Sequence, residues 1–295
     1  MSEAKALRWA VYASLLIGVT GVIWGLWSDS RIVLFDGIYT VFGTALSGLS
    51  LLAAWAAGLS PDKRYPFGRG AAIPVAIVIQ GAALTATLVY AAVDSISLLL
   101  EGGSDAAPLS VIAYGVITLL VSLAVVVALP RLAPGSELVA AEAAQWKAGA
   151  VLSGIIAGGA GVAAIASALG ARELIAYADP VLVLIAVVVL APVPWRLLRA
   201  GGREILEAAP PPAVNASVEA AAERTGKEFG LGRALVRSTK LGRRLYVEVD
   251  FVVEPGAWDV SDEDKVRRSL IGELDQLGYD LWANVELTTD PQLAE

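Results

Sequence analysis

Residues 30–60 read SRIVLFDGIYTVFGTALSGLSLLAAWAAGLS, an apolar stretch of membrane-crossing length with one carboxylate, Asp36, near its start. Hydrocarbon does not tolerate a charged side chain without a partner or a wet cavity, so Asp36 marks a functional position by default. Counting from it at helical spacing gives Thr40, Gly43, Thr44, Ser47 and Gly48, a small and polar stripe on one face. Small residues let another helix approach closely, and hydroxyls supply oxygen ligands or interhelical hydrogen bonds. Two readings stay open: a packing seam whose carboxylate bonds a neighbour, or an ion site completed by other spans.

Outward from this stretch the chain is greasy, with 56% hydrophobic and 17% charged residues and a mean hydropathy of +0.65. Those values point to a polytopic membrane protein. With neither cysteine nor histidine, disulfides, thiolate or imidazole metal ligands and histidine-based catalysis are excluded. No phosphate loop, nucleophile elbow or solenoid repeat is present, and the chain is not expected to be an enzyme.

Six spans are expected, approximately Leu7–Trp27, Ile32–Leu59, Ala71–Leu100, Leu109–Leu129, Leu138–Leu169 and Pro180–Leu198. The first follows Lys5 and Arg8 but continues to Trp27 without a convincing cleavage site, which favours a retained helix over a signal peptide. One side of the six-span arrangement carries Lys5, Arg8, Lys63, Arg64, Arg69, Arg131, Arg196, Arg199 and Arg203. The other offers Arg31 and Arg172 with the acidic loop EGGSDAAP at 101–108. This asymmetry places both termini in the cytoplasm of a multi-pass cell-membrane protein.

In span five, AEAAQWKAGAVLSG places Glu142, Gln145, Gly149 and Ser153 on one face. Lys147 either snorkels to the surface or neutralises a carboxylate. Asp179, in YADP, is expected to start span six at the outer surface, and Asp94 to be solvated there.

The proline run after EILEAAPPPA ends the helical pattern, dividing the chain into a transmembrane domain, 1–209, and a cytoplasmic domain, 210–295. The second part holds 10 Lys+Arg against 16 Asp+Glu, −6 of the total −7, which argues against nucleic acid as a partner. Its expected elements are a helix over Ser217–Phe229, strands over Ala234–Lys240 and Arg244–Glu254, a helix over Ser261–Leu277 capped by Ser261, and a strand over Leu281–Thr288. An αββαβ order implies a small ferredoxin-like α+β domain, which would gain stability by pairing with a second copy.

LFDGIYTVFG in span two, DKRYPFGRG in the following loop, AAEAAQWKAGAVLSG in span five, YADP and REILEAAP together resemble the cation diffusion facilitator family over nearly the whole chain. The resemblance implies a homodimeric, proton-coupled exporter of a divalent cation, with four ligands from spans two and five. Asp36 matches the first ligand, whereas Thr40, Gln145 and Gly149 stand where the family has Asp, His or Asp, and Asp. The depleted set suits an oxygen-ligated cation such as Mn²⁺, Fe²⁺ or Mg²⁺ rather than a zinc site of nitrogen and carboxylate. No cofactor is expected beyond this cargo. Glu142 and Lys147 would set the local charge of a site at central-to-cytoplasmic depth.

Accessory positions are altered too. Asp62 matches a family ligand, but Arg69 replaces the usual histidine. Asp290 survives from a His-x-Asp pair whose first position is Thr288. Ala71 replaces a lysine that would pair with an acid ending span six, which leaves Glu207 without that partner. A non-transporting, membrane-anchored relative with an acidic regulatory domain is the alternative reading.

Overall fold

The computed structural model describes residues 3–104, 107–132, 137–170 and 173–294. Arg172, Asp105 and the 133–136 part of the fourth-to-fifth connection lie outside the described residues. Six helical spans are long and apolar enough to cross a membrane. They are α1 (Glu3–Trp27), α2 (Arg31–Ala57), α3 (Ala72–Glu101), α4 (Pro108–Leu132), α5 (Glu137–Ala168), and a sixth made of α6 (Glu173–Leu190) with α7 (Pro192–Ile205). The protein is a multi-pass membrane protein.

The sixth span corrects the expectation of a helix beginning at Pro180. The α6 helix starts at Glu173 and carries Pro180 inside it, and the helical run is interrupted at Ala191. Pro192 lacks an amide hydrogen and disfavours helical backbone at the residue before it, Ala191, which accounts for the break. At its far end α7 closes on Glu207, which is exposed and takes a left-handed backbone, φ 53°.

Contacts divide the chain into two compact units: residues 1–49 with 80–196, and residues 50–79 with 197–295. In the first unit the core joins Ile32, Val33 and Phe35 of α2 to Leu88 of α3, Tyr114 of α4, Ile156 of α5 and Val183 of α6. The α1–α2 contact is made backbone to backbone. A methyl group at Gly25 would fall 2.4 Å from the Leu34 nitrogen, and one at Gly37 would fall 2.3 Å from the Val22 nitrogen. Helices in lipid associate through such close packing, since burying apolar surface gains nothing there. The seam of α2 therefore lies at Gly37; at Gly43 and Gly48 an added Cβ meets no atom within 4 Å. Thr44 and Ser47 donate to the carbonyls of Thr40 and Gly43, one turn back on their own helix.

Asp179 does not cap its own helix. It is buried within α6, and its carboxylate accepts hydrogen bonds from Ser30 Oγ at 2.6 Å, the Arg31 amide at 2.7 Å and the Ile32 amide at 3.4 Å. Those amides belong to the first turn of α2, which has no intrahelical acceptors for them. The negative charge also faces the positive end of the α2 dipole. At the same end Asp94 pairs with Arg31 at 3.3 Å, both partly exposed, instead of being merely solvated.

In the second unit the tail reads α8 (Pro212–Phe229), β1 (Ala234–Leu241), β2 (Arg244–Val252), α9 (Val260–Leu274) and β3 (Asp280–Thr288). The sheet order is β1-β2-β3, antiparallel then parallel, with α9 making the crossover. Val218 and Ala222 of α8 and Val266 and Leu270 of α9 bury the Leu245, Val247, Val249 and Phe251 face of β2. This is the αββαβ ferredoxin-like arrangement. The α9 cap is Asp259 with Asp262 in a reciprocal capping box, two residues before the expected Ser261. Asp250 is buried on β2, which pushes its carboxyl above the usual range, while Arg237 at 2.8 Å pulls it back.

Asp179→Ala is expected to lower the unfolding free energy by about 2 kcal/mol, because it strips acceptors from buried donors at the α2 terminus. Asp179→Asn, which still accepts hydrogen bonds, should cost less. Thermal unfolding of the detergent-solubilised protein checks the order, and equal losses would contradict the capping role.

Candidate functional site

Asp36 lies about 8 Å along α2 from its first residue, at the end of the bundle that carries the 28–30 turn. Asp36 is buried and accepts a hydrogen bond from the hydroxyl of Tyr114 at 2.7 Å. Tyr114 is itself buried, and its ring sits 6.0 Å from that of Trp24. The indole N–H of Trp24 in turn donates to Ser110 Oγ at 2.8 Å, one turn back along α4.

Tyr114 is the partner that sequence reading missed. A tyrosine in apolar surroundings such as AAPLSVIAYG reads as an interfacial anchor; the one available signal was that a buried tyrosine hydroxyl needs a partner.

The remaining expected site residues are not gathered on Asp36. Thr40, one turn further along α2, is half-buried. Gln145 and Gly149 are exposed, and a Cβ at Gly149 meets no atom within 4 Å. The residue after Tyr114, Gly115, packs against Ala157 of α5. Along α5, Gly149 is about 12 Å and Gln145 about 18 Å from that level. The part of α5 that shares the Asp36 core holds Leu152, Ile156 and Ala160. Among the described residues no group of three or more Asp, Glu, His or Cys side chains could hold a metal ion.

The charged neighbours have other partners or none. Glu142 is half-buried and accepts from the Trp146 indole nitrogen at 3.0 Å. Lys147 is exposed and forms no ion pair among the described residues, so it does not neutralise Asp36.

In the loop between α2 and α3, Asp62 is bound by the amides of Arg64 and Tyr65, each at 2.8 Å, and by the Arg69 guanidinium. The Tyr65 amide and the Arg69 hydrogen bond hold its carboxyl below the ordinary range. Arg69 also lies 4.3 Å over the Tyr65 ring. A fixed guanidinium thus fills the place where a cation ligand would be needed. Asp290 accepts from the Gln292 amide at 3.0 Å and shapes the terminal turn. Arg69→Ala should open this loop, with tryptic cleavage at the exposed Lys63 and Arg64 rising roughly fivefold. An unchanged rate on a digestion time course would contradict the clamp.

Glu204, on α7, has a cation partner, whereas among the described residues Glu207 has no ion pair. Its Oε1 accepts from Lys240 Nζ at 2.6 Å and its Oε2 from the Gly242 amide at 3.1 Å, which ties the α7 end to the β1–β2 turn.

Comparison with known proteins agrees with this architecture. The cation efflux transmembrane domain family matches residues 7–206. The chain is also 30% identical over 95 residues to the manganese efflux system protein MneP of Bacillus subtilis (strain 168), a match covering 32% of each chain. It therefore spans about a third of that relative's length. A family match over more than half the sequence, on six membrane helices with a buried acid in the second, is decisive: the chain belongs to the cation efflux family.

Proposed function

We propose that the protein exports a divalent cation in exchange for protons, with Asp36 as the group that holds either. The observation that carries this reading is a buried carboxylate in α2 with no Lys or Arg paired to it among the described residues. A permanent cation there would block cargo, whereas a hydroxyl donor leaves the acid free to exchange its partner. Cation and proton compete for the same oxygens, which couples their movements. Family membership and the manganese efflux relative support a metal cargo. The oxygen donors Asp36, Thr40 and Gln145 favour Mn²⁺, Fe²⁺ or Mg²⁺ over zinc.

On this reading both termini face the cytoplasm of the cell membrane, and two copies associate through their tail domains; chemical crosslinking in membranes, yielding no dimer, would exclude the pairing. The alternating cycle would bring Gln145 and Gly149 toward Asp36 in a second arrangement, because helix bundles of this kind switch access by rocking. A second reading, a non-transporting anchored relative with a regulatory tail, is favoured by the Tyr114 bond, which satisfies Asp36 without any cargo.

The decisive experiment is uptake into proteoliposomes containing a pH-sensitive dye. Asp36→Asn should reduce Mn²⁺ flux and the linked proton signal to background, while Lys147→Gln leaves both intact. Flux in Asp36→Asn equal to wild type would remove Asp36 from the mechanism, and absence of wild-type flux for every divalent cation tried would favour the anchored relative.

Restoring Gln145→His with Gly149→Asp should strengthen Zn²⁺ binding about tenfold, about 1.4 kcal/mol, since it rebuilds a nitrogen-and-carboxylate pair. The open space at Gly149 accommodates the new side chain. Adding Asp36→Asn should cancel the gain if the three converge. Calorimetry showing the full gain without Asp36 would mean that they do not.

A further inference from the structure

We infer that Tyr114 is a latch on Asp36: its hydroxyl occupies the carboxylate in the cation-free arrangement and must leave before a cation binds. The inference rests on the transporter reading above. The Tyr114 hydroxyl donates to Oδ2 of Asp36 at 2.7 Å, and both residues are buried, 1% and 7% exposed. A hydrogen bond donor and a metal ion cannot share that oxygen in the same direction, so one excludes the other. The two partners come from different helices, α4 and α2, so the bond reports their relative position.

The surroundings prevent the ring from simply swinging aside. A Cβ on Gly21 would fall 2.5 Å from the Tyr114 hydroxyl oxygen and 2.8 Å from the Gly37 Cα. The hydroxyl thus occupies a slot where α1 and α2 meet without side chains. Trp24 flanks the ring and is tied by its N–H to Ser110 of α4. Behind the ring's own helix, Gly115 is pressed on Ala157 of α5, where an added Cβ would lie 2.8 Å from the backbone nitrogen. Release therefore requires α2 to shift against α4, and the bond biases the bundle toward the arrangement in which Asp36 is shut away. A binding-competent state that is only partly populated weakens apparent affinity by that fraction.

A purely structural tyrosine makes the opposite forecast. Losing its bond would destabilise the fold and leave cation affinity unchanged or weaker. The test is Mn²⁺ flux by full-length protein in proteoliposomes, comparing wild type with Tyr114→Phe, which keeps the ring and deletes the donor. If the latch holds, Tyr114→Phe lowers the apparent KM about tenfold, the worth of one hydrogen bond to a charged group, with a smaller change in maximal rate. Tyr114→Leu repeats the measurement if the Phe variant does not elute as a single folded species. The wild type supplies a readout that needs no variant: infrared difference spectra on adding Mn²⁺ should show a tyrosine hydroxyl losing its hydrogen bond. An equal or raised KM in a folded variant, or no tyrosine signal in the wild type, overturns the latch. Wild-type flux with an unaltered variant removes only this inference, whereas a wild type that moves and binds no divalent cation removes the transporter reading and the latch with it.

Discussion

The capping of α2 by Asp179 is the constraint on which the placement of the site depends. A helix that begins inside a bundle exposes four amide hydrogens with no carbonyls to meet, and hydrocarbon offers no water in exchange. Here the chain solves this with Ser30 from its own turn and a carboxylate borrowed from α6. The cap fixes both the start of α2 and its distance from α6. Asp36, roughly one and a half turns further, then meets the Tyr114 hydroxyl, which sits in the α1–α2 slot that Gly21 and Gly37 keep open. Two carboxylates far apart in sequence thus lie buried at one end of α2, with different duties: among the described residues Asp179 accepts from three donors and Asp36 from one.

The second unit treats charge in another way. Where the family resemblance would place metal ligands or a lysine at the membrane face, this chain uses fixed internal cations: Arg69 on Asp62, and Lys240 on Glu204. The Arg244 guanidinium also donates to the Phe67 carbonyl at 2.6 Å, and Gly70 lies against the Leu241 carbonyl. Phe67 and Tyr246 both pack on Trp282. The α2–α3 loop, the end of α7 and the β1–β2 turn are consequently joined by hydrogen bonds and ion pairs that need no bound ion. The Asp62–Arg69 pair, open to solvent, contributes little stability by itself, so its value lies in fixing geometry.

The spans and the tail order were legible because each rests on local signals: apolar length for the helices, alternation for YVEVDFVVE, and a proline run for the linker. Boundaries failed where a signal had two candidates. In DVSDEDK, Asp259 and Asp262 formed the capping box although Ser261 also fits the pattern. Asp179 resembled a helix start because a proline follows it, yet its donors lie nearly 150 residues away in sequence, at Ser30 and Arg31. Tyr114 was illegible for the same reason. Helix periodicity states which residues share a face, but not which face of a uniformly apolar helix meets which neighbour.

The same limit explains the separation of Asp36 from Gln145 and Gly149. Spacing on α5 places the latter two on one face with Leu152 and Ile156, and those two do enter the core around α2. Gln145 and Gly149 themselves are exposed, and nothing local in the sequence sets the register, how far one membrane helix slides past another. Small residues set it: Gly115 on Ala157 and Gly37 on Val22 are contacts that lose their fit after a shift of one residue. On the proposed transport reading this matters for mechanism. Glycine contacts hold helices closely without interlocking side chains, so a concerted slide or tilt between two such registers costs less than repacking a branched core. A site split along α5 in one register and assembled in another is then a natural consequence of a seam built from glycine.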